Sequence, residues 1–472
     1  MPYFSVVLHT HMPYVEGYGS WPFGEEWLWE AMATSYLPLL DVLDGAPELT
    51  LSLTPVLCDQ LEAPGVGERF LAFLRTVRVA THELDAEGCR ASGRADLAAE
   101  IERSAQDYVR AGERFAALGG DLLAAFRPHA AWTSSATHAV LPLLATSAGV
   151  RLQVETGIAA HRRRYGAWRG GLWSPECAHA PWLDPLLAQA GVRATCVDLT
   201  DVFGLGSPDH LRPLRTGAGP LLVPIDREVV ELVWSDRGYP SQGPYRDSHQ
   251  RTTHHHKPWR CDGAVYDVDD AREQVARDAA DFVGRVERRL EHGELCVCAL
   301  DTELLGHWWY EGVQWLGAVV EECRRRGVPL VHLDDALDAV EPADAPELPT
   351  TTWGRPRDLS TWSGPPVADL AWRARAAELR ALAARHDLDP AAVRELLALQ
   401  SSDWAFVVSK ELAEPYGRER FAQHEAALAA SLAAAREASP SGAAEATPPG
   451  APGSAGPRHL APEATTAPLL AP

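Results

Sequence analysis

The chain has 472 residues, of which 46% are hydrophobic, and it carries a formal net charge of -22 at pH 7. This length exceeds a single ordinary domain but suits a barrel with appended domains. The acidic balance argues against nucleic acid or an anionic membrane as a partner, because binding to either needs basic patches. We also expect no membrane span, since no run approaches the roughly 20 apolar residues that cross a bilayer.

Short apolar runs alternate with helical segments in the first part of the chain. We interpret eight of these runs as strands, at residues 4–8, 49–57, 152–155, 194–197, 221–225, 229–234, 295–300 and 329–333. Apolar residues at helical spacing predict long helices at residues 96–118 and 271–292. This alternation predicts an α/β fold with a parallel sheet or barrel. The stretch from about 60 to 128 is too long for a simple crossover, so we predict a helical insert there.

Composition divides the rest of the chain. The barrel is predicted to occupy residues 1–340, and residues 341–352 begin with the proline-rich and acidic stretch EPADAPELP, which is typical of a linker. Residues 353–433 are rich in Ala, Leu and Arg and predict an all-helical C-terminal domain. Residues 439–472 consist largely of Pro, Ala, Ser and Gly without an aromatic residue, so we predict that they are disordered.

The cysteines and the amino terminus bear on the compartment. The eight cysteines, at positions 58, 89, 177, 196, 261, 296, 298 and 323, include no CxxC pair. We interpret them as buried free thiols, which fits a reducing environment. The first residues, MPYFSVVLHTH, lack both a basic beginning and a long apolar segment, so we expect no signal peptide. Together these features predict a cytoplasmic protein.

Polar side chains follow several of the predicted strands. His9 and His11 end the first strand, Glu176 comes soon after Trp173, and Asp301 ends a buried run. Because the carboxyl ends of parallel strands form one face of a barrel, we expect these groups to converge. A carboxyl group beside bulky apolar rings loses hydration and its pKa rises, which produces a general acid near neutral pH. The alternative for Asp301 is that it only caps the helix that follows.

Tryptophans are frequent near these strand ends. The chain has 16 of them, and an indole ring offers a flat apolar face for a sugar ring. Glycosidic cleavage needs one carboxyl group as proton donor and a second as nucleophile or base. We therefore predict a carbohydrate site in which substrate is bound by Trp21, Trp173, Trp308 and Trp309. The alternative is that these tryptophans belong to the core and that the carboxylates cap helices or form ion pairs.

Five short motifs occur in chain order: LHTHMPY (8–14), WTSSATHAVLPLL (132–144), GLWSPECAHAP (171–181), LDTELLGHWWYEG (300–312) and QSSDWAFVVS (400–409). With these motifs the chain resembles glycoside hydrolase family 57, and within it the branching enzymes that act on 1,4-α-glucan. The resemblance implies an incomplete (β/α)7 barrel with a helical insertion and an all-helical C-terminal domain. It also implies a retaining transglycosylase that uses no metal or other cofactor and takes α-1,4-glucan as donor and acceptor.

The resemblance extends to individual residues. Glu176 takes the position of the nucleophile and Asp301 that of the acid/base. Asp403 and Trp404 match the part of the glucan groove that the C-terminal domain contributes. The histidines that match those lining the family's site are His9, His11, His138 and His307.

A loop distinguishes the branching enzymes within the family. The stretch SDRGYPSQGPYRD (235–247) resembles it, and Tyr239 takes the position of the catalytic tyrosine at its tip. Such a loop excludes water from the intermediate and so favours transfer over hydrolysis. The alternative is an ordinary surface loop, since Gly, Pro and Ser dominate the stretch. The chain departs from the family pattern at Ser174 and His179, and the histidine run at 254–256 has no place in it.

Other functions stay open on the sequence. His9 and His11 at the end of a first strand would also suit zinc in an amidohydrolase-like barrel. A glucan-binding protein without turnover is a second alternative, although the presence of both carboxyl groups weighs against it. A 4-α-glucanotransferase or an α-amylase-type hydrolase could use the same fold. We expect a monomer or a homodimer.

Overall fold

A computed structural model describes residues 2–19, 24–438 and 459–470 of the chain. The strands are β1 (Tyr3–Thr10), β2 (Thr50–Leu53), β3 (Ala130–Ser134), β4 (Leu172–Trp173), β5 (Ala194–Val197), β6 (Leu214–Arg215), β7 (Leu221–Pro224), β8 (Leu295–Asp301) and β9 (Ala343–Asp344). The helices of the first half are α1 (Glu25–Ala31), α2 (Leu37–Gly45), α3 (Pro55–Leu61), α4 (Val66–Ala72), α5 (Val79–Ala91), α6 (Ala95–Ala117), α7 (Leu122–Phe126), α8 (Ser147–Tyr165), α9 (Asp184–Gln189), α10 (Thr200–Phe203) and α11 (Arg227–Trp234). Those of the second half are α12 (Val268–Leu290), α13 (Gly312–Arg326), α14 (Leu333–Ala339), α15 (Ser360–Ser363), α16 (Ala368–Ala383), α17 (Pro390–Leu399), α18 (Ser402–Ser409), α19 (Glu414–Ala438) and α20 (Ala467–Leu470).

Parallel strands form the centre of the molecule. Five of them lie in the order β4-β3-β2-β1-β8, and β5 pairs in parallel with β7 in a second sheet that also holds β6 and β9. The two sheets meet at both edges, since Gly171 forms a parallel bridge to Ala194 and the Asp226 N–H donates to the Val297 carbonyl over 2.8 Å. The seven parallel strands β1, β2, β3, β4, β5, β7 and β8 thus form an incomplete (β/α)7 barrel. The predicted fold class is confirmed.

The alternation of side chains along β8 explains why it is a strand. Cys296, Cys298 and Leu300 pack in the same cluster as the apolar faces of α12 and α13. Leu295, Val297 and Ala299 pack instead with residues of the other strands. Successive strand side chains point to opposite faces, so both faces of β8 are buried and both must be apolar.

Helices occupy both predicted appendages of the barrel. The insert contains α4 to α7 and a π-helical segment, Phe73–Arg78, and the C-terminal part contains α15 to α19. The two long helices predicted from apolar spacing correspond to α6 and α12 within three residues at each end. Asp267 begins α12 by accepting hydrogen bonds from the N–H groups of Asp269 and Asp270, which satisfies two N–H groups that no helical carbonyl reaches.

Several predicted strands are wrong. Residues 152–155 lie inside α8 and residues 229–234 inside α11, while residues 329–333 contribute only a bridge between Phe4 and Leu330. A short apolar run fits a buried helix as well as a buried strand, and packing decides between them. The predicted run 49–57 divides between β2 and α3, where Pro55 begins the helix. Strands β3 and β4 escaped prediction, and β4 has only two residues.

The predicted disorder of the C-terminal tail is wrong for residues 459–470. This segment contains α20, and its side chains Leu460 and Leu469 are buried. The average composition of the tail concealed these few aliphatic residues, which suffice to dock a short segment on an apolar surface. The rest of the predicted disordered tail, 439–458 and 471–472, lies outside the described residues.

None of the described helices combines the length with the apolar composition that a membrane-spanning helix needs.

Candidate active site

Four strand ends bring the polar groups of the candidate site together. His9 lies in β1 and is the in-register neighbour of Asp301, the last residue of β8. His138 follows β3, and Glu176 lies in a short 3-10 turn, Pro175–Cys177, directly after β4. Because these strands are parallel, their carboxyl ends open on the same face of the barrel. The structure therefore gathers four residues that are up to 292 positions apart in sequence.

Glu176 is held by strained backbone and by the segment that follows the barrel. Its φ of 63° lies in the left-handed region, and so does the φ of 49° of Cys177. Such conformations cost free energy in residues other than glycine and persist where surrounding contacts enforce them. The Glu176 carbonyl accepts hydrogen bonds from the Trp353 N–H at 3.0 Å and the Thr352 hydroxyl at 2.7 Å. The Trp353 indole N–H also donates to Glu176 Oε2 at 2.9 Å, which fixes the carboxyl group.

Three histidines form a compact cluster beside the carboxyl groups. His9 Nε2 and His138 Nε2 are 2.9 Å apart, so one imidazole donates and the other accepts. The His11 ring stacks on His138 with centroids 3.9 Å apart, and the His9 ring stacks on Trp173 at 4.5 Å. Burial lowers the pKa of His9 and His138 well below the usual histidine value. Both are therefore neutral at pH 7, and their remaining ring nitrogens lie near the hydroxyl groups of Ser52 and Ser402.

The C-terminal domain completes this cluster. Helix α18 places Asp403 Oδ1 2.9 Å from His11 Nε2 and Ser402 Oγ 2.9 Å from His138 Nδ1. A partner on one ring nitrogen fixes the tautomer and the orientation of an imidazole. The barrel histidines thus depend on a helix that begins about 260 residues further along the chain than His138.

Burial and neighbouring charge shape the two carboxyl groups. Burial raises the pKa of Glu176, the Trp353 hydrogen bond opposes this rise, and the charge of Asp301 adds to it. Burial raises the pKa of Asp301 as well, and the charge of Glu303 contributes. The pKa is raised to about 8 for Glu176 and to about 7 for Asp301, so the pair retains a proton near neutral pH. A nucleophile beside a general acid needs one carboxylate and one protonated carboxyl group, and the Trp353 indole N–H is a donor that stabilises negative charge on Glu176.

The structure places three predicted binding residues away from open solvent. Trp309 is 1% exposed and packs between Tyr245 and Trp315 in the core. Trp404 is equally buried, and its indole N–H donates to the Ala398 carbonyl at 2.8 Å. Trp173 is fully buried beneath His9, which it supports. Because a sugar ring needs an accessible indole face, the prediction that these three bind substrate is corrected.

Tyr239 also lies elsewhere than predicted. It is 5% exposed, its hydroxyl donates to Asp281 of α12 at 2.7 Å, and its ring lies near Trp315. The exposed residues of this stretch are instead Asp236, Arg237 and Ser241. The position of Tyr239 was implied by the resemblance of this stretch to the branching-enzyme loop, and a resemblance in sequence does not reveal which side chain points inward. The predicted catalytic position of Tyr239 at a loop tip is therefore wrong.

The remaining predicted residues have varied surroundings. Trp308 is 43% exposed, and its ring lies 5.3 Å from that of His307, whose pKa burial lowers to about 4. Both lie on the loop that follows Asp301. Trp21 lies outside the described residues. The histidine run packs on α5, with His254 Nδ1 2.7 Å from Asp85 Oδ1.

The described residues offer no ligand set for the zinc alternative. No group of three or more His, Cys, Asp or Glu side chains among them is arranged so that it could hold a metal ion. His9 and His11, the basis of that alternative, point their ring nitrogens at His138 and Asp403.

Known proteins are similar to this chain in sequence and in fold. The model described as "Glycosyl hydrolase family 57" matches residues 131–349, and that described as "1,4-alpha-glucan branching enzyme, C-terminal" matches residues 370–445. A probable 1,4-α-glucan branching enzyme of Mycobacterium tuberculosis is 34% identical over 92% of this chain and 93% of its own length. The chain belongs to glycosyl hydrolase family 57. A 1,4-α-glucan branching enzyme of Thermococcus kodakarensis is 31% identical over 89% of this chain and 72% of its own length.

A solved structure agrees with this membership of family 57. The crystal structure of a family 57 branching enzyme from Pyrococcus horikoshii superposes with a TM-score of 0.83, at 30% identity, covering 90% of this chain and 88% of that one. The resemblance stated from the five motifs is therefore confirmed.

Three residues of this family 57 site escaped sequence analysis. Trp353 lies after the linker, where nothing indicated a contact with Glu176. Glu303 is buried two residues after Asp301 and accepts hydrogen bonds from the Tyr36 hydroxyl at 2.6 Å and the His11 N–H at 3.1 Å. Its position beside Asp301 in the same motif was the available signal. Ser402 likewise precedes Asp403 in the fifth motif.

Adjacent tryptophans allow a direct test of the corrected assignment. We expect Trp309→Ala to lower the free energy of unfolding by about 3–5 kcal/mol, because it leaves a cavity between Tyr245 and Trp315. Trp308→Ala is the matched control and should cost clearly less free energy, since Trp308 is 43% exposed. Urea unfolding followed by circular dichroism measures both values. Equal costs for the two variants would contradict the burial assigned to Trp309.

Proposed function

We propose that this family 57 chain is a retaining 1,4-α-glucan branching enzyme that works by double displacement, with Glu176 as nucleophile and Asp301 as acid/base. The observation that carries the proposal is the convergence of both groups at the carboxyl face of the barrel, where the charge of Asp301 acts on Glu176; the division of roles follows the resemblance to the family motifs. The curated relatives that the chain matches over most of its length are named as branching enzymes, which supports the reaction.

The first displacement breaks an α-1,4 bond. Glu176 Oε attacks C1 of the donor glucosyl unit while Asp301 transfers its proton to the departing glycosidic oxygen. The product is a glycosyl ester with inverted configuration, and Asp301 is left as a carboxylate. A retaining mechanism of this kind needs the two carboxyl groups about 5–5.5 Å apart, too close for a water molecule between them.

The second displacement forms the branch. Asp301 takes the proton of the 6-hydroxyl group of an acceptor glucan, and that oxygen attacks C1 and releases Glu176. The second inversion restores the α configuration and leaves an α-1,6 bond. Water competes with the acceptor hydroxyl at this step, so residues that cover the intermediate decide between transfer and hydrolysis.

The histidine cluster supports both steps. Neutral His9 and His138 share a hydrogen bond and pack beside the carboxyl groups without adding charge next to Asp301. His138 Nδ1 also lies 3.8 Å from Glu176 Oε1. The charge of His11 lowers the pKa of both carboxyl groups, which opposes the effect of their burial.

The proposed reaction defines the substrate, and the cysteines indicate the compartment. The substrate is an α-1,4-glucan that serves both as donor and as acceptor. All eight cysteines lie in the described part of the chain and are unpaired, and six of them are buried. Free thiols fit a reducing compartment, so we propose that the protein acts in the cytoplasm.

Linkage analysis tests the reaction. The purified protein is incubated with linear amylose, and the product is treated with a debranching enzyme that cleaves only α-1,6 bonds. During the incubation we expect a loss of iodine colour with little release of reducing ends. After debranching we expect new short chains. Chain-length redistribution without debranchable bonds would indicate a 4-α-glucanotransferase, and rapid release of reducing ends would indicate a hydrolase. Either result would overturn the proposal.

A further inference from the structure

The C-terminal clasp, residues 459–470, docks on the barrel through apolar side chains. Leu460 and Leu469 are buried in one cluster with Leu152 of α8 and Leu432 of α19. The clasp therefore lies where the barrel and the C-terminal helices meet. Leu470, the neighbour of Leu469, is 45% exposed, so the segment packs on the barrel through one defined face.

Polar contacts fix the clasp in one register. The Ala461 N–H donates to Asp59 Oδ2 of α3 at 2.6 Å. Asp59 is itself buried and forms an ion pair with Arg164 of α8, while Glu463 of the clasp pairs with Arg163. Leaving the buried Asp59 carboxylate without one of its hydrogen-bond donors would cost free energy of folding. The Ala461 N–H therefore helps to stabilise Asp59 within the barrel.

The same part of α3 also holds the loop that follows His9 and His11. Gln60, next to Asp59, accepts a hydrogen bond from the Val15 N–H at 2.8 Å and donates to the Pro13 carbonyl at 3.0 Å. The clasp touches this loop directly, since His459 Nδ1 lies 2.5 Å from Glu16 Oε1. Residues 12–16, which we call the histidine loop, are thus held by α3 and by the clasp together.

The histidine loop begins one residue after His11, which contacts Asp403 and stacks on His138. A shift of this loop therefore changes the position of an imidazole beside the carboxyl pair. Small displacements of positioning groups are expensive in catalysis because reacting groups must be aligned closely.

We propose that the C-terminal clasp is a positioning element, which holds the histidine loop in the arrangement that the active site uses. The clasp does not touch the reacting atoms and acts through the loop. The consequence for glucan binding rests on the proposed function, whereas the ordering of the loop does not.

Two neighbouring leucines give a matched test in the full chain. Leu469→Asp places a charge in the apolar contact, and Leu470→Asp places the same charge in solvent one residue later. Backbone hydrogen exchange without glucan is measured for both. In Leu469→Asp we expect exchange to become roughly tenfold faster in residues 459–470 and in residues 12–16. In Leu470→Asp we expect the rates of the unmodified protein. Faster exchange in the clasp with an unchanged histidine loop would overturn the proposal.

His459→Ala serves as a second variant, because it removes the contact with Glu16 from a partly exposed position and leaves the apolar contacts in place. It should accelerate exchange of residues 12–16 even if Leu469→Asp fails to fold, and unchanged rates there would contradict the proposal. With amylose as substrate, Leu469→Asp and His459→Ala should each raise KM several-fold with a smaller change in kcat. An unmodified protein that forms no branches would refute the proposed function alone, since the exchange comparison is made without substrate.

Discussion

Replacing Glu176 by glutamine should reduce the rate of branch formation on amylose by a factor on the order of 1000 or more, because an amide cannot form the glycosyl ester. Glutamine has nearly the same shape, and its side-chain oxygen can still accept the hydrogen bond that Trp353 donates to Glu176. The variant should therefore keep the fold. Initial rates of branching measure the effect, and turnover like that of the unmodified protein would remove Glu176 from the mechanism.

The same variant should also be more stable, and the gain should depend on pH. Burial raises the pKa of Glu176 above its ordinary value, which is about 4.3 in an unfolded chain. Between the two values the folded state binds more protons, so this carboxyl group's contribution to stability is fully present below about pH 4.3 and is lost as the pH rises through the folded pKa. Glutamine does not titrate. The melting temperature of Glu176→Gln should exceed that of the unmodified protein by more at pH 7.5 than at pH 5.

Glu155→Gln provides the control for this comparison, since Glu155 is exposed on α8. Its melting temperature relative to the unmodified protein should be the same at both pH values. A constant difference for Glu176→Gln as well would show that the folded pKa of Glu176 is ordinary. The result is independent of the activity measurement.

Replacing Asp301 by alanine should separate substrates by their leaving groups. Cleavage of amylose needs a proton on the departing oxygen, and loss of a general acid costs about 100- to 10,000-fold. An α-maltosyl fluoride releases fluoride without protonation, so formation of the glycosyl-enzyme should survive in Asp301→Ala. Steady-state rates on the two donors measure this. Equal losses on both donors would contradict the role of Asp301 as acid.

Azide distinguishes the two carboxyl groups by stereochemistry. In Asp301→Ala, azide should attack the glycosyl-enzyme and yield an α-maltosyl azide, with retained configuration. In Glu176→Ala, azide should enter the space of the missing carboxylate and attack the α-fluoride directly, which yields the β-azide. The anomeric configuration is read by proton NMR. The opposite pair of products would exchange the roles of Glu176 and Asp301.

Local sequence patterns succeeded where one periodicity was long enough to dominate. The seven residues of β8 and the 23 residues of α12 each repeat one spacing many times, so burial of one surface leaves a single solution. The short run 152–155 fits a strand as well as a helix, and the neighbouring apolar turns of α8 decided in favour of the helix. Apolar spacing alone did not distinguish an open parallel sheet from a barrel. The resemblance carried by the five motifs predicted the barrel.

Adjacent residues show the limit of such reasoning at the site. Trp308 and Trp309 have the same chemistry and the same neighbours in sequence, yet one is 43% and the other 1% exposed. The C-terminal clasp was misplaced because composition describes a stretch on average, and Tyr239 was misplaced because a resemblance in sequence does not give the direction of one side chain. Trp353 meets Glu176 from 177 positions away, a contact that no local pattern encodes.

By itself the sequence determined the alternation of strands and helices, the order of the motifs and the two carboxyl groups at strand ends, because each is written in residues close together along the chain. Tertiary structure alone decided that His9 stands in register with Asp301, that α18 fixes the imidazoles, and that residues 459–470 return to α3. These contacts join residues separated by tens to hundreds of positions, and their formation depends on which surfaces the whole fold buries against one another.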